Sequence, residues 1–462
     1  MSIVAVFDIG KTNVKLSAAS DDGRVLETLS TPNKVKDGLP YRHHDLDELE
    51  AWLIDSLAAL GKRYDIGAIV TCAHGSGGVL VDGQGAAMPM IDYEQPIPAD
   101  VDAYYRTIVG PYRERASAIM LGAAHLARQM LWQEMHWPET FAAASAYLAT
   151  PQYWAFRLSG VLASEVTSLA AQSHLWASAD GWPAALVASR GWQRLMPPMR
   201  RAWETLGSLK PELARRCGLK ATTRILCGVH DSSANFYRYQ AADLSDFMVI
   251  STGTWIVALT DRLGVDFDIE LPGHSCNADV FGNPMPGMLT MGGREFSAVA
   301  AKASGPASMQ AVRRIVASGT FALPTFGSDD GLFPGTAHRG RLEGPLAEDE
   351  GVRFTLAVLY SALLTADCIR DLPEAGTVVL DGNFVVEPLY GAAVAALLPD
   401  RRVLVSRSTT GTATGAAMLA AHEKRISPAP LAAEAPDTSD FPELSSYQRR
   451  WQALIKTMEQ IS

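Results

Sequence analysis

A strand, a glycine turn and a second strand occur twice in this chain, once at its start and again past its middle. The first copy reads Phe7-Asp8-Ile9-Gly10-Lys11-Thr12-Asn13-Val14-Lys15-Leu16. The second reads Ile250-Ser251-Thr252-Gly253-Thr254-Trp255-Ile256-Val257-Ala258-Leu259. Aligned without gaps, Gly10 meets Gly253, Val14 meets Val257 and Leu16 meets Leu259. A hairpin of this kind turns backbone N–H groups toward one point, which suits phosphate oxygens. Two such hairpins on two domains predict a nucleotide gripped from both sides, and hence an ATP-using enzyme with a closing cleft.

The chain has 462 residues, enough for two or three domains. Apolar residues make up 48% and charged residues 19%, which leaves material for large cores. A net charge of −10 argues against nucleic acid or an anionic membrane as main partner. It does not oppose an anionic ligand, because local backbone dipoles bind phosphate on acidic proteins. No uncharged apolar run reaches membrane-spanning length, so no span is expected. The opening residues lack a basic segment and their apolar run is short for a signal peptide. The five cysteines are scattered and contain no CxxC pair, so neither zinc nor a disulfide framework is expected. These features predict a cytoplasmic home.

The pattern predicts strands at 3–7, 14–20 and 24–30, with Asp21-Asp22-Gly23 as the turn before the third. Asp45 and Glu48 stand in capping-box spacing ahead of an apolar helical stripe from Leu46 to Leu57. A buried strand is expected at 66–72 and a mostly helical stretch at 115–178. Another strand should run from Ile225 to Val229 and end at His230-Asp231. The second half repeats the plan, with strands at 247–251 and 255–260 and a glycine- and proline-rich stretch from Pro272 to Pro286. Helices are expected near 295–303, 307–317, 351–372, 388–398, 412–422 and 445–460, and strands at 377–380 and 402–405. Strand and helix alternate, so the fold class is α/β. The expected division is 1–235, 236–430 and a peripheral tail over 431–462.

Asp8 ends a strand beside a glycine turn, a position from which a carboxylate can hold Mg²⁺ next to a triphosphate. Gly10 permits close backbone approach. Lys11, Thr12 and Asn13 supply charge and hydrogen bonds. The plainer reading is an ordinary hairpin capped by polar residues, and the second copy weighs against it.

With those residues in view, the chain resembles the actin-like ATPase superfamily and, within it, the FGGY family of carbohydrate kinases. Pro151-Gln152-Tyr153-Trp154 with Arg157-Leu158-Ser159-Gly160 is similar to the family's PDYL…RLTG segment. Gly228-Val229-His230-Asp231 resembles its G-x-H/G-D stretch, and Gly411-Thr412-Ala413-Thr414-Gly415-Ala416-Ala417 its late helix start. The resemblance implies two actin-like (ribonuclease H-like) domains with an ATP and sugar cleft between them. It implies ATP and Mg²⁺ as cofactors, with Asp231 as catalytic base and Asp8 and Asp231 at the metal. Phosphate and nucleotide contacts would come from Gly10, Lys11, Thr12, Asn13, Lys15, Thr252, Gly253, Thr254, Gly382, Asn383 and Gly411. The plainer reading of Gly411 to Ala417 is a tight Ala/Gly helix interface, and the nucleotide reading is preferred because it completes the phosphate loops. Sugar contacts would come from His74, Gly75, Tyr93, Glu94, His230 and Asp231. Asp92 lies in the same acidic segment.

The implied reaction moves the γ-phosphoryl group of ATP to a hydroxyl of a small sugar or polyol. A rhamnulose- or fuculose-like ketose is preferred to xylulose or glycerol, and the resembled family often forms homodimers. Two departures stand out. Arg294-Glu295 follows the glycine pair Gly292-Gly293, where many relatives carry a hydrophobic residue. Phe326 to Pro334 replaces the common GER-x-P segment. There is no G-x-x-x-x-G-K-[ST] loop, G-x-S-x-G elbow or H-E-x-x-H pair. A sugar sensor of the same fold without catalysis is the alternative from another class. It would need a damaged base or metal carboxylate, and both are present here. A mechanical actin-like ATPase is a third reading, opposed by the sugar-site segments.

Overall fold

The computed structural model describes residues 2–328, 331–424 and 428–459. Asp329 and Asp330 of the departing segment therefore lie outside the described residues. Strands β1 (Ile3–Ile9), β2 (Asn13–Ser20) and β3 (Val25–Pro32) form an antiparallel meander. Helix α1 (Leu46–Gly61) follows, capped by the Asp45 carboxylate, which accepts from the Glu48 amide at 3.2 Å. Strand β4 (Ile66–Ala73) returns parallel to β1. After an insertion that includes α2 (Thr150–Ser159), β5 (Arg224–Leu226) lies parallel to β4.

The expected strand from Ile225 to Val229 is split. It breaks at Cys227-Gly228 and resumes as β6 (Val229–His230), again beside β4. Gly228 has φ +91°, and a Cβ there would lie 2.7 Å from the Thr71 carbonyl oxygen. This is a place where only glycine lets two backbones pass. Helix α3 (Asp231–Ala241) starts directly after β6.

The second half contains β7 (Phe247–Thr252), β8 (Ile256–Thr260) and β9 (Pro284–Thr290), then α4 (Gly292–Ala300) and α5 (Glu350–Arg370). Strand β10 (Thr377–Gly382), α6 (Pro388–Leu397), β11 (Arg402–Ser406), α7 (Gly411–Met418) and α8 (Ser445–Glu459) complete it. The sheet orders are β5-β4-β1-β2-β3 and β11-β10-β7-β8-β9, the first extended beyond β5 and the second at both edges. In both, the first three strands are antiparallel and the last two join parallel to the first. The duplicated hairpin is thus the visible part of a duplicated sheet.

Strand parity decides which layer each side chain enters. Ala5, Phe7 and Ile9 join Leu49, Leu53 and Leu57 of α1 in one core. Val4 and Val6 join Ala234 and Tyr237 of α3 and Ala413, Ala416 and Ala417 of α7 in another. The opposite side of α3 gives Phe236 and Tyr239 to a core with Phe247 and Val249 of β7. Helix α3 is therefore shared by both sheets. Asp8 and Ser251 continue the parities that face it.

The gapless alignment of the two hairpins does not survive past the turn. Ile9 pairs with Val14, whereas Thr252 pairs with Ile256. The second loop is one residue shorter, so Ile256 rather than Val257 occupies the place of Val14. A one-residue slip moves a side chain to the other face of a sheet. Ile256 is accordingly fully buried and Val257 reaches the cleft.

Three further expectations are corrected. The stretch from Pro272 to Pro286 holds an edge strand, His274–Ala278, paired with β9. The 115–178 stretch is interrupted by the strand Ala146–Ala149. The terminal helix α8 is not peripheral, because Tyr447 and Trp451 are fully buried in the second core. The Trp451 indole N–H donates to the Ala322 carbonyl at 2.8 Å. Helix α5 is long and apolar enough to cross a membrane, but 83% of its most apolar window is buried within the fold.

Candidate active site

Two carboxylates meet where β1 faces the start of α3. Asp8 sits on β1 between Lys15 of β2 and Cys72 of β4. Burial, followed by the charge of Asp231, pushes its carboxyl up to about 7, with Lys15 pulling weakly the other way. Asp231 is half-buried at the first turn of α3. Its Oδ1 accepts from the Ser232 amide at 2.6 Å and the Ser232 hydroxyl at 3.2 Å, and lies 3.0 Å from His230 Nε2. Burial raises this carboxyl, but His230, His74 and the Ser232 amide outweigh it and hold Asp231 below the usual carboxylate range. None of these bonds falls on Oδ2.

His230 is held from behind. Its amide donates to Thr167 Oγ1 at 2.9 Å, and that hydroxyl donates to the buried Glu165 carboxylate at 2.6 Å. Its ring Nδ1 lies 3.3 Å from Ser233 Oγ.

A cavity of about 420 Å³ opens over Asp231 between the two sheets. His74, Gly75, Tyr93, Glu94, His230 and Asp231 all line it. The six residues expected to touch sugar are thus brought together from distant parts of the chain. The His74 ring meets Tyr93 edge-on at 5.3 Å, and both ring nitrogens are buried with no protein partner. Burial lowers this imidazole to about 4, so it is neutral. It is a ready partner for hydroxyl groups.

Asp92 differs from Glu94. Its carboxylate is paired with Lys11, receives Arg42 Nε at 2.7 Å, and accepts the Glu94 amide at 3.3 Å. It anchors the loop, and Glu94 is the carboxylate that faces the cavity. Gln172 and Asn277 also line the cavity, and the Gln172 amide donates to Asn277 Oδ1 across the cleft. Neither carboxamide stands in a local motif, so sequence reading missed both.

Both glycine turns close on themselves. The Gly10 amide donates to Asn13 O at 3.0 Å, and the Gly253 amide to Trp255 O at 2.9 Å. Thr12, Asn13 and Lys15 are exposed beyond the first turn. Lys11 is directed to the Tyr93-Glu94 wall of the cavity, paired with Asp92, 3.7 Å from Glu94 and 4.9 Å over the Tyr93 ring.

Thr252, expected to contact phosphate, is buried with its polar atoms bonded inside the protein. Its hydroxyl donates to Asp381 O at 2.7 Å and accepts the Phe384 amide at 3.0 Å, while its carbonyl accepts the Asn383 amide at 2.6 Å. It shapes the Gly382-Asn383 turn. Gly253, Thr254, Gly293, Arg294 and Asn383 line an open groove of about 470 Å³. Phe296, Phe354, Phe384, Tyr390 and Ser361 enclose an apolar recess of about 300 Å³ beside it. Gly411 instead lies against Asn235 and Arg238 of α3, and a Cβ on Gly415 would overlap the Ala234 carbonyl. These two glycines let α7 touch α3, so the helix-interface reading holds for them.

Arg294 and Glu295 point in opposite directions. Arg294 reaches across the cleft to Glu94 at 3.5 Å. Glu295 is buried and accepts from the Phe326 amide at 2.9 Å, the Gly327 amide at 3.0 Å and the Tyr360 hydroxyl at 2.6 Å.

No group of three or more metal-ligating side chains exists among the described residues. Asp8 and Asp231 nevertheless suit Mg²⁺, which takes one or two carboxylates and completes its shell with phosphate and water oxygens. The Asp8 carboxyl is raised first by burial and then by the charge of Asp231, and a cation would offset that second cause.

Two sheets of like order around a carboxylate pair define a two-domain α/β protein of the actin-like class. Residues 3–236 match the model of the FGGY family of carbohydrate kinases, N-terminal domain, and residues 244–428 match carbohydrate kinase FGGY, C-terminal domain. The chain belongs to the FGGY family of carbohydrate kinases. A solved carbohydrate kinase from Novosphingobium aromaticivorans is 30% identical with a TM-score of 0.87, covering 99% of both chains. An L-fuculokinase of Salmonella typhi is 25% identical over 289 residues, 60% of this chain and 61% of that protein. The match thus spans about three fifths of that curated relative. The xylulose kinase structure from Rhodospirillum rubrum is 19% identical with a TM-score of 0.80 over 99% of each chain, a likeness of fold.

Proposed function

We propose that this protein is an ATP-dependent sugar kinase that transfers the γ-phosphoryl group to a hydroxyl of a small ketose of the fuculose, rhamnulose or xylulose type. The observation that carries this reading is the cavity over Asp231. It has unsatisfied imidazole nitrogens in its wall and shares Arg294 with the groove lined by the second glycine turn. Family membership and the likeness to an L-fuculokinase support it.

In this reading residues 1–235 carry the sugar side. Residues from 236 onward carry the nucleotide side, with α8 as part of its core. The sugar hydroxyl is held by His74 and Glu94, with His230 beside them in the cavity wall. Its oxygen attacks the γ-phosphorus, the bond to the β–γ bridging oxygen breaks, and that electron pair leaves with ADP. Asp231 takes the hydroxyl proton on Oδ2, the oxygen that its own bonds leave free. His230 and Ser232 hold Oδ1 and thereby fix the direction of the other lone pairs. Thr254 and the exposed Thr12 and Asn13 face the phosphates, while Thr252 positions Gly382-Asn383 beneath the nucleoside. Mg²⁺ would be held through Asp8 and Asp231 and would neutralise charge on the phosphates. Closure of the two halves excludes water and limits idle ATP hydrolysis. ATP use and five buried free thiols suit a cytoplasmic site of action.

The test is ADP release with Mg-ATP over a panel of ketoses, aldoses and polyols. Strong stimulation by one ketose is expected. Saturable sugar binding without turnover would favour a sensor.

A further inference from the structure

Arg294 occupies a singular place. It lines both the acceptor cavity over Asp231 and the groove beside Gly253 and Thr254. Its mount is rigid. The Gly293 amide donates to Thr254 O at 3.1 Å, and a Cβ on Gly293 would overlap the Gly253 carbonyl. On the inner side, Glu295 fixes the same turn of α4 to Phe326, Gly327 and Tyr360. The guanidinium itself is loose: its side chain is 55% exposed, and its ion pair with Glu94 is long, at 3.5 Å. A pair of that exposure is weak and easily exchanged.

We propose that Arg294 is a catalytic residue that leaves Glu94 and contacts the phosphoryl group in flight between ATP and the sugar. This rests on the kinase reading above. As the sugar oxygen–phosphorus bond forms and the bond to the bridging oxygen breaks, charge spreads over the three equatorial oxygens. A guanidinium fork at the border of the two recesses matches two of those oxygens at once, which an ammonium cannot do. Glu94 holds the fork in place before the sugar arrives. Sugar hydroxyls that engage Glu94 free the fork for the phosphoryl group, so acceptor binding readies the site for transfer. The ion pair crosses the cleft, and each half of the molecule supplies one partner.

The experiment compares wild type, Arg294→Ala, Arg294→Lys and Glu94→Gln, using the sugar that best stimulates ADP release. Steady-state kcat and KM are measured, with sugar binding by calorimetry in the absence of ATP. Arg294→Ala is expected to lower kcat by about 10³-fold, with sugar affinity nearly unchanged and partial recovery on adding guanidinium. Arg294→Lys, which keeps the charge and guards against a folding artefact, is expected to lie between. Glu94→Gln is expected to act mainly on sugar KM. A wild-type kcat in Arg294→Ala would overturn the proposal, as would equal kcat losses in Arg294→Ala and Glu94→Gln, the sign of a mere clasp. Wild type that no sugar stimulates would overturn the kinase reading and this inference with it.

Discussion

Arg238 of α3, the helix shared by both sheets, and Asp381 at the end of β10 form an ion pair, Nη2 to Oδ2 at 2.6 Å, with both side chains buried. Asn235 donates to the same oxygen at 2.8 Å. The pair lies beside the Gly382-Asn383 turn that Thr252 shapes, so it ties the shared helix to that turn. Removing one partner leaves a buried charge alone. Asp381→Asn is expected to cost about 3–5 kcal/mol in urea unfolding. A loss below about 1 kcal/mol, the range of exposed pairs, would show that the pair does not hold α3 to β10.

Glu295 is an acceptor for three buried donors. Glu295→Ala strands the Phe326 and Gly327 amides and the Tyr360 hydroxyl, each worth about 1–3 kcal/mol when unsatisfied. Entering water offsets part of this, and a net loss of about 3 kcal/mol is expected. Amide exchange at Phe326 and Gly327 should accelerate, while exchange in β1 should not. Unchanged exchange at both amides would contradict the anchoring role.

Acid should weaken the fold through a buried histidine pair. His125 and His174 stack at 3.6 Å between the loops that border the sugar cavity. Tyr105 OH lies 2.7 Å from His174 Nδ1 and Ser117 Oγ lies 2.8 Å from Nε2, while His125 Nδ1 lies 2.7 Å from Gln172 O. Burial lowers His125 to about 4, and burial with the His125 charge holds His174 well below the usual imidazole range. The unfolded chain therefore binds more protons than the native one between pH 6.5 and about 4. Stability is full above that window and falls as pH drops through it. Tm measured across it should fall, with a smaller slope in His174→Gln. Equal slopes would remove the pair from the account.

Trp451→Ala should cost about 3–5 kcal/mol, because the indole is fully buried against Phe333 and Tyr360. A change near zero in thermal unfolding would return α8 to the periphery.

The first meander and α1 were legible because alternation, Asp21-Asp22-Gly23 and the Asp45 cap all act locally. The Pro272–Pro286 stretch was not, since its strand His274–Ala278 is held by pairing with β9 and has little propensity of its own. The hairpin duplication was visible, but the missing residue in the second turn was not. Register depends on how the turn closes, and both turns start with the same glycine. In the site, Asp231, His230, His74 and Glu94 were marked by family-like segments. Gln172 and Asn277 were not, because two carboxamides that meet only across the cleft leave no pattern along the chain. Thr252 reads as a phosphate contact from its neighbours, and Asp92 only as part of an acidic loop segment. Their bonding to Asp381, Phe384, Lys11 and Arg42 is visible only in three dimensions.

The most direct test of the central claim is sugar-stimulated ADP release by wild type and Asp231→Asn, with sugar binding measured in both. The account predicts that one ketose strongly stimulates wild type and that Asp231→Asn binds it but turns over at least about 10²-fold more slowly. Full turnover by Asp231→Asn would contradict Asp231 as the base, and no stimulation of wild type by any sugar would contradict the kinase itself.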